Sequence, residues 1–177
     1  MRSKGFTLIE LLIVVAIIGL LASYVMYTIT SANIRVKIAQ AKTQISHIEN
    51  TLELYNGDVG FYPPGDAVYD GGIINVVEAL SGKPRSEGGG GGPSRYWEFK
   101  EKELANSKYE PSRKVLLDPW GKPYRYTRAT DDAGNPKPGI HRKSSFDLYS
   151  CGPDGVDQNG ENDKKAGKDD INNWTGE

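Results

Sequence analysis

Hydrophobic positions fall into two regimes along this chain. From Phe6 the residues read FTLIELLIVVAIIGLLASYVMYTIT, and after Glu10 no charge recurs until Arg35. That uncharged run of about 24 residues spans about 36 Å as a helix, enough to cross a hydrocarbon core of about 30 Å. Beyond it the apolar positions narrow to Ile34, Ile38, Ala41, Ile45, Ile48, Leu52 and Tyr55, a spacing that draws one stripe along a helix. Arg35, Lys37, Gln40, Lys42, Gln44 and Glu49 take the opposite face. The pattern predicts a transmembrane helix over 6–30 that continues as an amphipathic helix over 31–55, where Asn56-Gly57 supplies a stop. The same heptad spacing suits a coiled coil, but about three heptads followed by a β-rich body favour a helix laid on a sheet.

The remainder, 56–177, reads as one small globular domain. It opens with a turn-rich NGDVGFYPP segment, followed by a short amphipathic stretch over 72–80 (GIINVVEAL) that predicts a second helix. The segment 83–94, KPRSEGGGGGPS, holds five consecutive glycines and predicts a flexible surface loop. No Gly-Lys-Ser/Thr follows it, so it is not a phosphate cradle. Strands are expected over 114–117, 123–128 and 145–150, the last two as hairpin strands with one buried face. Between the first two, Asp118-Pro119-Trp120-Gly121-Lys122-Pro123 is turn-forming, with Trp120 placed to clamp the turn onto the helix.

Composition narrows the function. At 177 residues and 37% hydrophobic there is room for one modest domain beside the apolar segment. A net charge of −1, with no stripe of Lys/Arg and interleaved aromatics, gives no reason to expect nucleic acid. The single cysteine, Cys151, excludes an intrachain disulfide and a Cys-based zinc site, and is expected as a small buried apolar residue. His47 and His141 lie far apart and in no catalytic motif, so a non-catalytic role is expected.

Arg2 and Lys4 precede the span with no comparable cluster immediately after it, which predicts a cytoplasmic N-terminus and an exported body. An ordinary secretory signal is the competing reading, since Thr30-Ser31-Ala32 offers small residues for cleavage. The apolar region is longer than a typical signal core, however, and Glu10 sits inside it as a lone, costly acid that calls for a partner.

The stretch Lys4-Gly5-Phe6-Thr7-Leu8-Ile9-Glu10-Leu11-Leu12 resembles the signal of type IV pilins and type II secretion pseudopilins. The resemblance implies a pilin-like α+β fold: a long N-terminal helix on a small antiparallel sheet. It also implies removal of a leader, 1–5, by a prepilin peptidase that cuts after Gly5 and methylates Phe6. Glu10 would then neutralise the Phe6 ammonium of a neighbouring subunit inside a filament. Family members commonly have a proline where this chain has Tyr27, which leaves open whether the helix bends there.

The LDPWG and PY segments, and the lack of a second cysteine, resemble major pseudopilins of type II secretion more than pilins of type IV pili. The C-terminal stretch is rich in acids, amides and glycines, the oxygen donors and turns that a calcium ion needs, although it does not match an EF-hand and would also suit a solvated tail. Ser150, Gly152, Asp154, Gly155, Asp169, Asp170, Ile171, Asn173 and Trp174 resemble the ending of the major pseudopilins, which implies a calcium loop over 150–174. Its ligands would be the side chains of Asp154 and Asp169 and the carbonyls of Cys151 and Ile171, with Trp174 anchoring the end. Because the loop is long, Asp157, Asn159 or Asp163 would replace or add ligands.

The implied function is a subunit that polymerises with itself into a periplasmic pseudopilus at the bacterial inner membrane and helps export folded proteins. Its partners would be the peptidase, minor pseudopilins and inner-membrane assembly proteins. A type IV pilin and a secreted calcium-binding module are the alternatives.

Overall fold

The computed structural model describes residues 7–65, 71–82, 95–159 and 169–175. The Gly5-Phe6 junction, the glycine-rich 83–94 stretch and Asp163 lie outside the described residues. Two compact units follow one another along the chain, 1–36 and 37–177.

The first unit is helical. Helix α1, Leu8–Val59, starts in it, and every described side chain from Leu8 to Met26 is exposed, Leu8 at 87% and Leu20 at 74%. Mean hydropathy reaches 2.6 over 18 residues, and among the described residues α1 alone is long and apolar enough to cross a membrane. Within this stretch the Ser23 hydroxyl donates to the Gly19 carbonyl (2.9 Å), which satisfies a polar group without needing water. The backbone is helical through residue 27, where proline is absent.

In the second unit the predicted stripe becomes the core. Ala41, Ile45, Ile48, Leu52 and Tyr55 are buried, while Ile38 is half-buried and packs against them. The helix outruns its expected end at Asn56-Gly57, because both residues are taken into the last turn. The stop falls at Gly60, whose N–H donates to the Asn56 carbonyl (2.8 Å) and whose φ of +86° is the left-handed geometry that ends a helix. The outer face of α1 is less free than its sequence suggests. Gln44 accepts a hydrogen bond from the Tyr124 hydroxyl (2.7 Å), and Glu49 forms an ion pair with Arg142.

Helix α2, Gly71–Leu80, forms where its amphipathic pattern predicts and buries Ile73, Ile74, Val76, Val77 and Leu80 against the same core. The strands form two small antiparallel sheets rather than one. The first pairs β1, Leu104–Asn106, with β2, Lys114–Leu116, in the register Ala105 opposite Val115. The second has the order β3-β4-β5, with β3 at Arg125–Arg128, β4 at Phe146–Ser150 and β5 at Ile171–Asn172. Pairing sets Tyr126 opposite Leu148 and Ser150 opposite Ile171.

The chain passes from β2 to β3 through a turn tied by a lone bridge between Leu117 and Pro123, so the two sheets stay distinct. β1 and β5 were not expected as strands; at three and two residues they are too short for alternation to register. β4 also departs from the expected single buried face, since all five of its residues are buried. Phe146 and Leu148 enter the core, whereas the alternate residues Asp147 and Tyr149 are covered from the other side by His141 and Trp174.

Candidate functional site

Two regions collect the residues singled out by sequence. The first is the start of α1. Thr7 and Glu10 form a capping box: the Thr7 N–H and hydroxyl both donate to Glu10 Oε2 (2.9 and 2.7 Å), and the Glu10 N–H donates to Thr7 Oγ1 (3.4 Å). Within a single chain the carboxylate therefore closes its own helix terminus.

The second region lies at the end of β4 and is built on a turn. Asp118, buried, accepts from the Trp120 and Lys122 N–H groups through Oδ1 (2.9 Å each) and from the Ser150 hydroxyl through Oδ2 (2.6 Å). The Ser150 hydroxyl in turn accepts from the Gly152 N–H (3.1 Å). The DPWG turn is thus fastened to the point where β4 runs into the C-terminal loop, and Trp120 packs on the core. Sequence reading identified the turn but missed this role of Asp118; the signal lay in an Asp two residues before a Trp-Gly pair, a pattern suited to accepting backbone N–H groups.

From Ser150 the loop turns back on itself. Gly152, at φ +63°, lies so close to the segment before β5 that a Cβ there would stand 2.3 Å from the Asp169 carbonyl oxygen. Asp154 and Asp169 are brought together: burial first, then the charge of the neighbouring Asp154 carboxylate, push the Asp169 carboxyl above the ordinary range. Asp169 Oδ1 is buried with no hydrogen-bond partner. Two abutting carboxylates, one with an orphaned buried oxygen, fit a hard divalent cation. Cys151 and Ile171 lie beside them, Cys151 following Ser150 and Ile171 pairing with it.

Gln158 staples the loop, its N–H donating to Asp170 Oδ2 (3.0 Å) and its side-chain oxygen accepting from the Asp169 N–H (2.9 Å). Asp154 is held by the Val156 N–H (2.7 Å) and the Gln158 amide (3.1 Å).

Asp157 does not face the carboxylate pair: it accepts from the Tyr149 hydroxyl and the Asn159 N–H (2.9 and 3.1 Å) and forms an ion pair with Arg125 (3.3 Å), so its charge is already committed. Cys151 is buried as expected, and burial pushes its thiol up to about 11, so at neutral pH it offers a backbone carbonyl and no thiolate. Trp174 anchors the end of the loop by stacking on His141 (4.2 Å between centroids, 7° between planes).

Residues 28–174 match the family model described as type II secretion system (T2SS), protein G, and residues 1–26 match the prokaryotic N-terminal methylation motif. The chain belongs to the protein G family of the type II secretion system. Its relatives, each described as type II secretion system core protein G, agree along nearly the whole chain. The Pseudomonas aeruginosa protein is 34% identical, covering 98% of this chain and 96% of its own. Those of Vibrio cholerae and Escherichia coli are 31% and 30% identical, with 98% and 92% covered in each case. The crystal structure of the major pseudopilin from the type 2 secretion system of enterohaemorrhagic Escherichia coli is 21% identical, covers 82% of this chain and 92% of its own, and has a TM-score of 0.43. The family is one of major pseudopilins, structural subunits rather than enzymes.

Proposed function

We propose that the chain acts by polymerisation: after removal of residues 1–5 by a prepilin peptidase and methylation of Phe6, copies leave the inner membrane and stack into a periplasmic pseudopilus. The observation that supports this most directly is the first half of α1, an apolar rod interrupted by one carboxylate, whose side chains are exposed from Leu8 to Met26. An apolar surface of that extent is covered by lipid or by copies of itself. In the membrane each helix is solvated by acyl chains; in a filament its neighbours replace them, and Glu10 exchanges its contact with Thr7 for the Phe6 ammonium of an adjacent copy. Minor pseudopilins and inner-membrane assembly proteins would start and drive the stacking.

In the exported domain, Asp154 and Asp169, with the carbonyls of Cys151 and Ile171, would hold Ca²⁺. The bound ion would neutralise the two carboxylates and tie the loop to β5, hardening the face that a filament exposes to the periplasm. Gln158 orients Asp154 and Asp169, and the Ser150–Asp118 bond fixes the strand end from which Cys151 follows.

The decisive experiment is Glu10→Ala in cells. We expect normal membrane insertion and a mature N-terminus at methylated Phe6, with pseudopilus yield reduced by tenfold or more on the order of one lost charged contact per subunit. Wild-type yield from this variant would refute the assembly role of Glu10, and a mature chain starting beyond the apolar segment would refute retention of the helix.

A further inference from the structure

We infer that His141, Arg142 and Asp147 form a clasp through which the C-terminal segment and helix α1 stabilise each other. Asp147 is buried on the outer face of β4 and accepts three hydrogen bonds from two consecutive residues. Its Oδ2 takes the His141 N–H (2.8 Å) and meets His141 Nδ1 (2.9 Å), and its Oδ1 takes the Arg142 N–H (2.9 Å). One carboxylate thereby fixes two neighbours that point to different elements. His141 stacks flat on Trp174, whose ring also meets Tyr149 of β4 edge-on. Arg142 passes over the Phe146 ring (5.9 Å), donates to Glu49 of α1 and lies 3.5 Å from the Asn173 carbonyl.

Asn173 completes the circuit. Its N–H donates to the Leu148 carbonyl (3.1 Å), its side-chain oxygen accepts from the Leu148 N–H (2.9 Å), and its amide reaches the Phe146 carbonyl (3.3 Å). Asn173 and Trp174 therefore dock on β4 and on the same dipeptide that grips α1. If Asn173 and Trp174 leave, Arg142 loses a carbonyl and His141 loses its stacking surface, and the grip on Glu49 slackens. If Glu49 is neutralised, the docking weakens in return, because such coupling is reciprocal. Resting on the calcium reading, an ion held between Asp154 and Asp169 would by this route tighten α1 about three turns from its end.

The test is a double-mutant cycle in the full-length protein in detergent micelles, read by equilibrium unfolding in urea. Glu49→Gln and Trp174→Ala are measured singly and together, then again in an Asp147→Asn background. We expect the combined change in the unfolding equilibrium to depart about threefold or more from the product of the single changes, and that departure to vanish with Asp147→Asn. Multiplicative effects in the wild-type background would overturn the clasp, as would coupling that survives Asp147→Asn.

A second arm separates the two ideas. Hydrogen exchange is followed with calcium and with chelator in the wild type and in Arg142→Gln. Protection that responds to calcium at 169–175 in both, but around Glu49 only in the wild type, supports the route. An unresponsive 169–175 segment refutes the calcium reading and leaves the cycle to decide the clasp.

Discussion

Replacing Gly152 by alanine tests whether the C-terminal loop is built on a close backbone approach. Two costs add. At φ +63° a side chain is strained in the left-handed region by about 1–2 kcal/mol. The new Cβ would also stand 2.3 Å from the Asp169 carbonyl oxygen and 3.0 Å from its carbon, both backbone atoms that cannot swing aside. Moving the segment that enters β5 adds strain of about 1–3 kcal/mol, as overpacking does elsewhere. The total is about 2–5 kcal/mol, a large part of a typical domain's net stability.

With a urea slope of about 2 kcal/mol per molar, the midpoint of the full-length protein should fall by about 1–2.5 M, followed by tryptophan fluorescence. Gly134→Ala is the control, because Gly134 has φ +83° but open space around its Cβ position. It should lose only the backbone cost of about 1–2 kcal/mol. Equal midpoints for the two variants would refute the argument that the approach of Gly152 to Asp169 organises the loop.

Asp154→Ala should abolish a calcium-induced rise in melting temperature that the wild type shows; a wild type whose melt ignores chelator would remove the metal site. Leu52→Ala, at a fully buried position on α1, should destabilise the exported domain by about 2–5 kcal/mol in urea unfolding while leaving membrane insertion unchanged. Asp118→Ala deletes the acceptor of two backbone N–H groups and the Ser150 hydroxyl, and should cost about 2–4 kcal/mol in the same assay. An Asp118→Ala protein as stable as the wild type would show that the turn holds without this carboxylate.

The sequence by itself determined the parts whose physics is local. An uncharged run long enough for a bilayer and a 3.6-residue apolar stripe depend only on spacing, and Ala41, Ile45, Ile48, Leu52 and Tyr55 are buried as that spacing requires. The signature around Gly5, Phe6 and Glu10 is likewise contiguous, and it pointed to the family before any fold was known.

What only tertiary structure decided are the meetings of distant residues. Asp157 and Asp154 look interchangeable along the chain, yet the pairing of β3 with β4 presents Arg125 and Tyr149 to Asp157 and leaves Asp154 to face Asp169. Glu49 reads as a solvated charge until Arg142, far along the chain, arrives beside it. Asp147 reads as the polar half of an alternating strand until His141 and Arg142, backed by Trp174, cover it. A charge's role depends on which opposite charge or donor the fold brings within a few ångströms, and residue spacing along one element does not contain that information.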